Sequence, residues 1–139
     1  MRFGYWLLQW TWGLPQNVLG LLLYLLTLRC PKRTAHGAAV TLLTGRFSRH
    51  GSLSLGMFLF LDGSEAAPRQ DRVLVHEYGH SLQSLILGPL FLPLAALPSV
   101  LWAGVLHARH PERPYHSRYP ENWANRLGQR RLKRPPIDW

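Results

Sequence analysis

Two long runs without a charged side chain constrain what this chain can fold into. No Asp, Glu, Lys or Arg occurs in residues 3–28 or in residues 81–106. Each run exceeds the ~20 residues that a helix needs to cross a hydrocarbon layer of ~30 Å. The first run predicts a transmembrane anchor within residues 1–30. The second predicts another membrane segment over residues 81–106.

The basic residues beside the first run predict its orientation. Arg2 alone precedes it, and Arg29, Lys32 and Arg33 follow it closely. Basic loops stay in the cytoplasm. A cleaved secretory signal is the alternative, but this apolar stretch is longer than the ~15 residues of a signal's apolar region, and basic residues stand where small ones should allow cleavage. We therefore expect an integral protein of the cell membrane with its active site on the cytoplasmic side.

The charge balance bears on possible partners. Sixteen Lys and Arg against seven Asp and Glu give a net charge of +9, which suits nucleic acid or an anionic membrane surface. No recognised nucleic-acid fold signature accompanies these charges, so nucleic acid is not expected. A lipid bilayer with anionic headgroups is the expected partner. Cys30 is the only cysteine, which excludes an intramolecular disulfide and is compatible with a reducing compartment.

The residues between the apolar runs predict strands and a helix. Residues 38–44 and 52–61 are short apolar stretches separated by turn-forming and basic residues, and they predict a β-hairpin. From Asp71 the apolar residues recur at steps of three and four, which predicts a helix that ends before Gly88 and Pro89. The expected fold is an α+β membrane protein. Its order is a transmembrane helix, a short hairpin, this helix, a proline-broken re-entrant or second transmembrane segment, and a C-terminal helix.

The motif that carries chemistry lies in the predicted helix. His76, Glu77 and His80 form H-E-x-x-H. Residues four apart lie one above the other on a helix, so both imidazoles can bind one Zn²⁺, and Glu77 beside it can take a proton from the attacking water. Random placement gives this motif in roughly one such chain in a hundred. The alternative is a structural helix whose two histidines are hydrogen-bonded in a core.

A catalytic zinc usually has a third protein ligand. Glu121 is the first candidate, because Pro120 marks the start of a second predicted helix, which could pack against the first. The alternatives are His116, Glu112, His107 and His110, each of which could instead be a solvated side chain of the tail.

The two motifs resemble a known class of enzymes. H-E-Y-G-H followed about 40 residues later by E-x-x-A-N is similar to zincin peptidases of the gluzincin type and, at the motifs, to ImmA/IrrE-like zinc peptidases. The resemblance covers residues 53–128 in element order. It implies a zincin-like metalloprotease domain over residues 31–139, Glu121 as ligand, Asn125 as its supporting residue, and a strand within residues 52–61 as the substrate edge. These soluble families lack an apolar run like residues 81–106. The whole chain also resembles small bacterial membrane proteins that carry H-E-Y-G-H.

The metal geometry favours a re-entrant form of the second apolar run. A straight crossing would place Glu121 ~30 Å from His80, whereas two ligands of one ion lie within about 4 Å. Gly88 and the prolines at 89, 93 and 98 allow the segment to turn and return on one side. A true second span with an unrelated third ligand is the alternative.

The sequence therefore predicts a membrane-associated zinc metallohydrolase that cleaves a peptide or a membrane-protein substrate. Glu77 is the expected base, and Tyr115 or Tyr119 is a possible donor to the oxyanion. The alternative is a non-catalytic protein in which zinc staples the helices, with His116 completing a closed site of four ligands.

Overall fold

The structure is a computed structural model that describes residues 2–109, 111–112, 114–137 and 139, except for the side chains of residues 2, 49, 50, 106, 107 and 115. Two helices, α1 (Arg2–Thr11) and α2 (Leu14–Leu26), precede the strands β1 (Lys32–Ala35), β2 (Ala38–Leu43), β3 (Leu53–Leu55) and β4 (Phe58–Asp62). Between β2 and β3 lies a 3₁₀ turn, Gly45–His50. Helix α3 (Ala67–Leu87) follows the sheet.

After α3 the backbone stays helical but changes its winding several times. The successive pieces are a 3₁₀ turn (Gly88–Leu90), a π-helical stretch (Leu92–Ala96), α4 (Leu97–Leu101), a second π-helical stretch (Trp102–Leu106) and α5 (His107–Arg109). Another 3₁₀ turn, Tyr115–Ser117, leads to α6 (Glu121–Leu132).

The four strands form one sheet in the order β1-β2-β4-β3. Strand β2 pairs with β4 in parallel, whereas β1 with β2 and β3 with β4 are antiparallel. The predicted hairpin between residues 38–44 and 52–61 is therefore wrong. Residues 52–61 reverse at Gly56, whose φ of 62° is a conformation that glycine adopts without a Cβ clash. This turn makes β3 and β4 a hairpin of their own.

Strand β4 is the centre of the core, and its two faces pack against different helices. Leu59 and Leu61 join Leu74 and Tyr78 of α3 in one cluster. Phe58 and Phe60 face the other way, against partly buried side chains of α1 and α2 that include Trp10, Leu21 and Tyr24. A strand buried on both faces has no polar alternation. That explains the continuous apolar run in this part of the sequence.

Helices α1 and α2 pack on the back of α3 through buried polar side chains. We call Gln9, Gln16, Asn17, Ser81 and Ser84 the amide network; all five are fully buried. Gln9 Nε2 donates to Ser81 O at 3.1 Å and Gln16 Nε2 to Ser84 Oγ at 2.7 Å. Asn17 Oδ1 accepts the Met57 backbone N–H at 2.8 Å, which ties α2 to the β3–β4 turn.

The predicted membrane segments are corrected by the lengths and compositions of these helices. None of the helices in the part of the chain that the structure describes is long and apolar enough to cross a membrane. The first run is interrupted at Trp12 and Gly13 into helices of 10 and 13 residues, about 15 Å and 20 Å long against the ~30 Å required. The predicted anchor over residues 1–30, the predicted re-entrant or second span, and the predicted integral-membrane location are therefore wrong.

The second apolar run is likewise divided. Its first residues complete α3, which carries charged side chains in its first half. The chain then turns at Gly88, whose φ of 55° brings it against Trp12, so that a Cβ there would lie 2.3 Å from the indole. Many apolar side chains on the outer faces of these helices remain exposed, among them Phe3, Leu26 and Val100. These residues caused both runs to resemble membrane spans.

Helices α3 and α6 are in direct backbone contact. A Cβ added to Gly79 would lie 1.9 Å from the Ala124 carbonyl oxygen, and one added to Gly128 would lie 2.0 Å from the Val75 carbonyl oxygen. Neither backbone can move aside without displacing its helix. The two glycines therefore set the close distance between α3, which carries the H-E-x-x-H motif, and α6, which begins at Glu121.

Candidate metal centre

Three buried side chains from α3 and α6 converge on one point. We call His76, His80 and Glu121 the His–His–Glu cluster; one ligand atom of each lies within 4.8 Å of the others. Glu121 Oε2 is 2.9 Å from His76 Nε2 and 3.2 Å from His80 Nε2. The helix found around the motif, Ala67–Leu87, places both histidines on the face that meets α6. The cluster could bind a metal ion.

Hydrogen bonds on the far side of each imidazole fix its orientation. His80 Nδ1 lies 2.7 Å from Gln83 Oε1, and Gln83 Nε2 donates to Pro120 O at 2.9 Å. Because the amide nitrogen faces a carbonyl, the amide oxygen faces His80, and Nδ1 must carry the hydrogen. His76 Nδ1 is paired in the same way with Asn125 Oδ1 at 2.7 Å. Both Nε2 atoms therefore direct lone pairs at Glu121.

This arrangement leaves an excess of acceptors inside the protein. Two imidazole lone pairs and a carboxylate oxygen meet in a buried space, and none of the three atoms supplies a hydrogen when both rings are neutral. A cation between them removes the repulsion, whether it is a proton on one ring or a metal ion. Atoms bound to one zinc at 2.0–2.1 Å stand about 3.3 Å apart in a tetrahedral arrangement. The observed 2.9 Å and 3.2 Å are close to that spacing.

Glu121 is held as a carboxylate by its surroundings. Burial alone would raise its pKa, but contact with the imidazoles of His76 and His80, in the form that carries a hydrogen and a positive charge, holds the pKa of Glu121 well below its usual range. Its other oxygen, Oε1, accepts a hydrogen bond from the Ser99 hydroxyl. Glu121 also stands in the first turn of α6, where the helix dipole favours negative charge.

Glu77 differs from Glu121 in having no partner for one of its oxygens. The side chain is 5% exposed, and Oε2 has no hydrogen-bond partner among the described residues. Removal from water raises the pKa of Glu77 to about 7; the neighbouring His76 opposes this shift, and the Glu121 charge adds to it. A buried carboxyl group that exchanges a proton near neutral pH is suited to acid–base chemistry.

A cleft of about 620 Å³ opens onto the cluster. Residues 51–55, which include β3, line the cleft together with residues of α3. Several residues between Phe91 and Gly104, on the helical segment after α3, also line it. Strand β3 is one of the two outer strands of the sheet. The cleft therefore brings together the His–His–Glu cluster, Glu77 and the end strand of a sheet.

The other candidates from the sequence lie in different positions. Tyr119 does not line the cleft, and its hydroxyl donates to the Leu94 carbonyl oxygen. Glu112 is exposed and outside the cluster. His116 lines the cleft, with its ring 4.8 Å from that of His76, but it is not among the three clustered ligands. The side chains of Tyr115 and His107, and His110 as a whole, lie outside the described residues.

Burial and the nearby His76 lower the pKa of His116 to about 3, so its ring is neutral near pH 7. A neutral ring beside the cluster adds no positive charge that would repel a bound cation.

Sequence reasoning missed three residues of the site. Gln83 stands three residues after His80, on the same face of α3, so helical spacing could have identified it. Ser99 and Trp139 had no such signal, because they reach the cleft only through the path of the chain after α3 and after α6.

No protein-family model, no curated protein and no solved structure matches the chain. The resemblance to zinc peptidases therefore depends on the two motifs alone and stays a prediction.

Proposed function

We propose that this protein is a zinc-dependent hydrolase that cleaves peptide bonds in extended segments bound along β3. The observation that carries the proposal is the unpartnered, buried carboxylate of Glu77 beside the His–His–Glu cluster in one open cleft. An unsatisfied buried acceptor is costly, so a second buried carboxyl group without a partner beside the cluster supports a chemical role for it.

The donor set supports zinc as the metal. Two imidazoles and one carboxylate suit this ion, and catalytic zinc sites have three protein ligands and keep a fourth position open. When bound by His76, His80 and Glu121, zinc would supply a Lewis acid that polarises the scissile carbonyl and lowers the pKa of water. Asn125 and Gln83 hold the two imidazoles in the tautomer that such binding requires.

The chain's own residues account for the proton transfers. Glu77 takes a proton from water as the water oxygen attacks the carbonyl carbon. It then gives that proton to the leaving amine as the carbon–nitrogen bond breaks. A group that performs both transfers should have a pKa near the working pH, and the pKa of Glu77 is about 7.

Strand β3 supports a peptide as the substrate class. An outer strand can pair with an added extended segment through backbone hydrogen bonds. Because residues 51–55 line the cleft, a peptide paired there would run past the cluster. Backbone hydrogen bonds form with a peptide of any sequence. Selectivity among peptides therefore depends on the side-chain pockets of the cleft.

The test compares two carboxylates of the same cleft, Glu77 and Glu65. Glu77→Gln should lower kcat for a quenched-fluorescent peptide by about 10²–10⁴-fold, because an amide cannot accept the proton. Its zinc content, measured by plasma mass spectrometry, should not change. Glu65→Gln is the matched control. It should keep the wild-type kcat and the wild-type zinc content, because Glu65 pairs with Arg69 at 3.2 Å and is outside the cluster.

Loss of zinc from Glu77→Gln would indicate that Glu77 is a metal ligand and would contradict its role as the base. Full zinc occupancy without hydrolysis of any peptide by the wild type would contradict the peptidase function and favour the alternative, a zinc that only joins the helices.

A further inference from the structure

Trp139 lies in the cleft although no helix or strand carries it there. Its indole stacks on the imidazole of His116, with ring centroids 3.6 Å apart and planes within 12°. The same indole is nearly perpendicular to the ring of His76 at 5.5 Å. The indole therefore stands directly beside the His–His–Glu cluster, in the cleft that also contains Glu77.

The residues that precede Trp139 are fixed where they leave α6. We call residues 133–137 and 139, as far as the structure describes them, the tail segment. Lys133 adopts a left-handed conformation with φ 52°, and the Arg134 N–H donates to Gln129 O at 2.9 Å, so α6 ends and the chain turns back. Arg134 Nη2 then lies 3.2 Å from Asp71 Oδ1 on α3. Pro135 and Pro136 restrict the backbone that follows.

Trp139 does not belong to the hydrophobic core. Trp139 is 44% exposed, whereas Trp102, on the helical segment after α3, is 4% exposed. The indole of Trp139 can therefore leave the cleft without opening the core. A peptide that entered the cleft would meet this indole beside the cluster.

Building on the peptidase function proposed above, we propose that the indole of Trp139 occupies the subsite for an aromatic side chain of the peptide substrate, and that the tail segment competes with substrate for the cleft. The face of His116 offers a flat ring to stack on, which an aromatic side chain uses better than an aliphatic one. The small residues Ala103 and Gly104 also line the cleft.

The expected strength of the competition follows from tethering. A segment attached by a few residues has an effective concentration on the order of 1 mM. If the free hexapeptide of the tail binds with a Kd near 0.1 mM, the attached segment weakens the binding of a competitor by about ten-fold. A change of that size is measurable and still allows a substrate to displace the tail.

The experiment uses full-length variants that differ only at the indole. In the Glu77→Gln background, which prevents turnover, zinc-loaded protein is titrated with the capped peptide Arg-Pro-Pro-Ile-Asp-Trp and with its Trp-to-Ala analogue. Trp139→Ala should bind the aromatic peptide about ten-fold more tightly than the protein with Trp139 intact. Trp139→Phe, which keeps a ring on His116, should remain close to the intact protein. The analogue should bind every variant at least ten-fold more weakly than the aromatic peptide binds Trp139→Ala.

Equal affinity of the aromatic peptide for the Trp139→Ala and intact proteins, or no binding to either, would overturn the subsite. Loss of zinc affinity in Trp139→Ala would also overturn it, by showing that the indole supports the cluster. With Glu77 present, Trp139→Ala should lower KM for an aromatic peptide substrate about ten-fold and leave kcat unchanged. If the tail competes with the peptide but no variant hydrolyses it, only the peptidase function is contradicted. If the peptide is hydrolysed but Trp139→Ala leaves KM unchanged, only the subsite is contradicted.

Discussion

Helix α3 carries two buried polar groups of residues on different faces, and they differ in how their hydrogen bonds balance. The amide network faces α1 and α2, and its glutamine and asparagine side chains supply donors as well as acceptors. The His–His–Glu cluster faces α6 and directs only acceptors at its centre. Burial is similar on both faces. The amide network is not fully satisfied either, because Gln16 Oε1 has no hydrogen-bond partner among the described residues. What distinguishes the His–His–Glu cluster, which could bind a cation, is that three acceptor atoms meet at one point with no donor between them.

The difference between adjacent residues of α3 illustrates this. His80 and Ser81 are both buried. The Ser81 hydroxyl is hydrogen-bonded to the Tyr5 hydroxyl and accepts from Gln9 Nε2 at 3.1 Å, so its partners lie on α1. His80 uses Nδ1 for Gln83 and directs Nε2 at a carboxylate. One step along the helix thus changes a contact between helices into a position that could hold a metal ion.

The largest test of this comparison removes a ligand. Glu121→Ala should lower zinc affinity by about 100-fold, because four-ligand zinc sites bind with about 10–16 kcal/mol, which is roughly 2.5–4 kcal/mol for each ligand. Competition with a chromophoric chelator measures it. The exposed Glu112→Ala is the control and should bind zinc like the wild type. Equal affinity of both variants would place the third ligand elsewhere.

A smaller effect is expected from the residue that orients His76. Asn125→Ala removes the acceptor 2.7 Å from His76 Nδ1, so the imidazole can rotate and change its tautomer. Mutation of a residue that supports a metal ligand in this way typically lowers metal affinity by about 10–100-fold. The same chelator assay measures it, with the neighbouring partly exposed Asn122→Ala as control. An unchanged affinity in Asn125→Ala would show that the hydrogen bond does not fix the ring.

The smallest effect should appear on the other face of α3. Ser84→Ala removes the hydroxyl that accepts from Gln16 Nε2 at 2.7 Å. We expect the free energy of unfolding to fall by about 1–3 kcal/mol, because a buried donor loses a partner. Zinc affinity should not change. Urea denaturation of the metal-free protein gives the first quantity and chelator competition the second. A zinc affinity that fell together with stability would show that the two faces are coupled, which would remove the distinction made above.

The site was more predictable from the sequence than the fold was. The positions of His76, Glu77 and His80 follow from helical spacing, which is a local property. Glu121 also reached the cluster, because a helix start after Pro120 is a local signal as well. Gln83 and Asn125 complete the cluster through contacts between helices. Asn125 was expected only from the resemblance, and Gln83 was not expected at all.

The membrane prediction failed because the length of an apolar run does not reveal where the helix breaks. The break at Trp12 and Gly13 and the turn at Gly88 each depend on packing against other parts of the chain. The strand pairing failed for a similar reason. A turn at Gly56 and a parallel pairing of β2 with β4 are set by contacts far apart in sequence, whereas a hairpin between neighbouring apolar stretches is the simplest local interpretation.

The backbone contact at Gly79 and Gly128 has a consequence for which ions the protein could accept. In coordination chemistry, a chelator whose donor atoms sit on a rigid frame has a fixed bite and selects ions by radius. Here the frame is the α3–α6 pair, whose separation is limited by backbone atoms rather than by side chains that can repack. If the protein binds zinc as proposed, such a bite would accommodate its bonds of about 2.0–2.1 Å and would disfavour calcium, which needs about 2.3–2.6 Å and more oxygen donors. Size discrimination of this kind would be encoded in two residues that touch no ion.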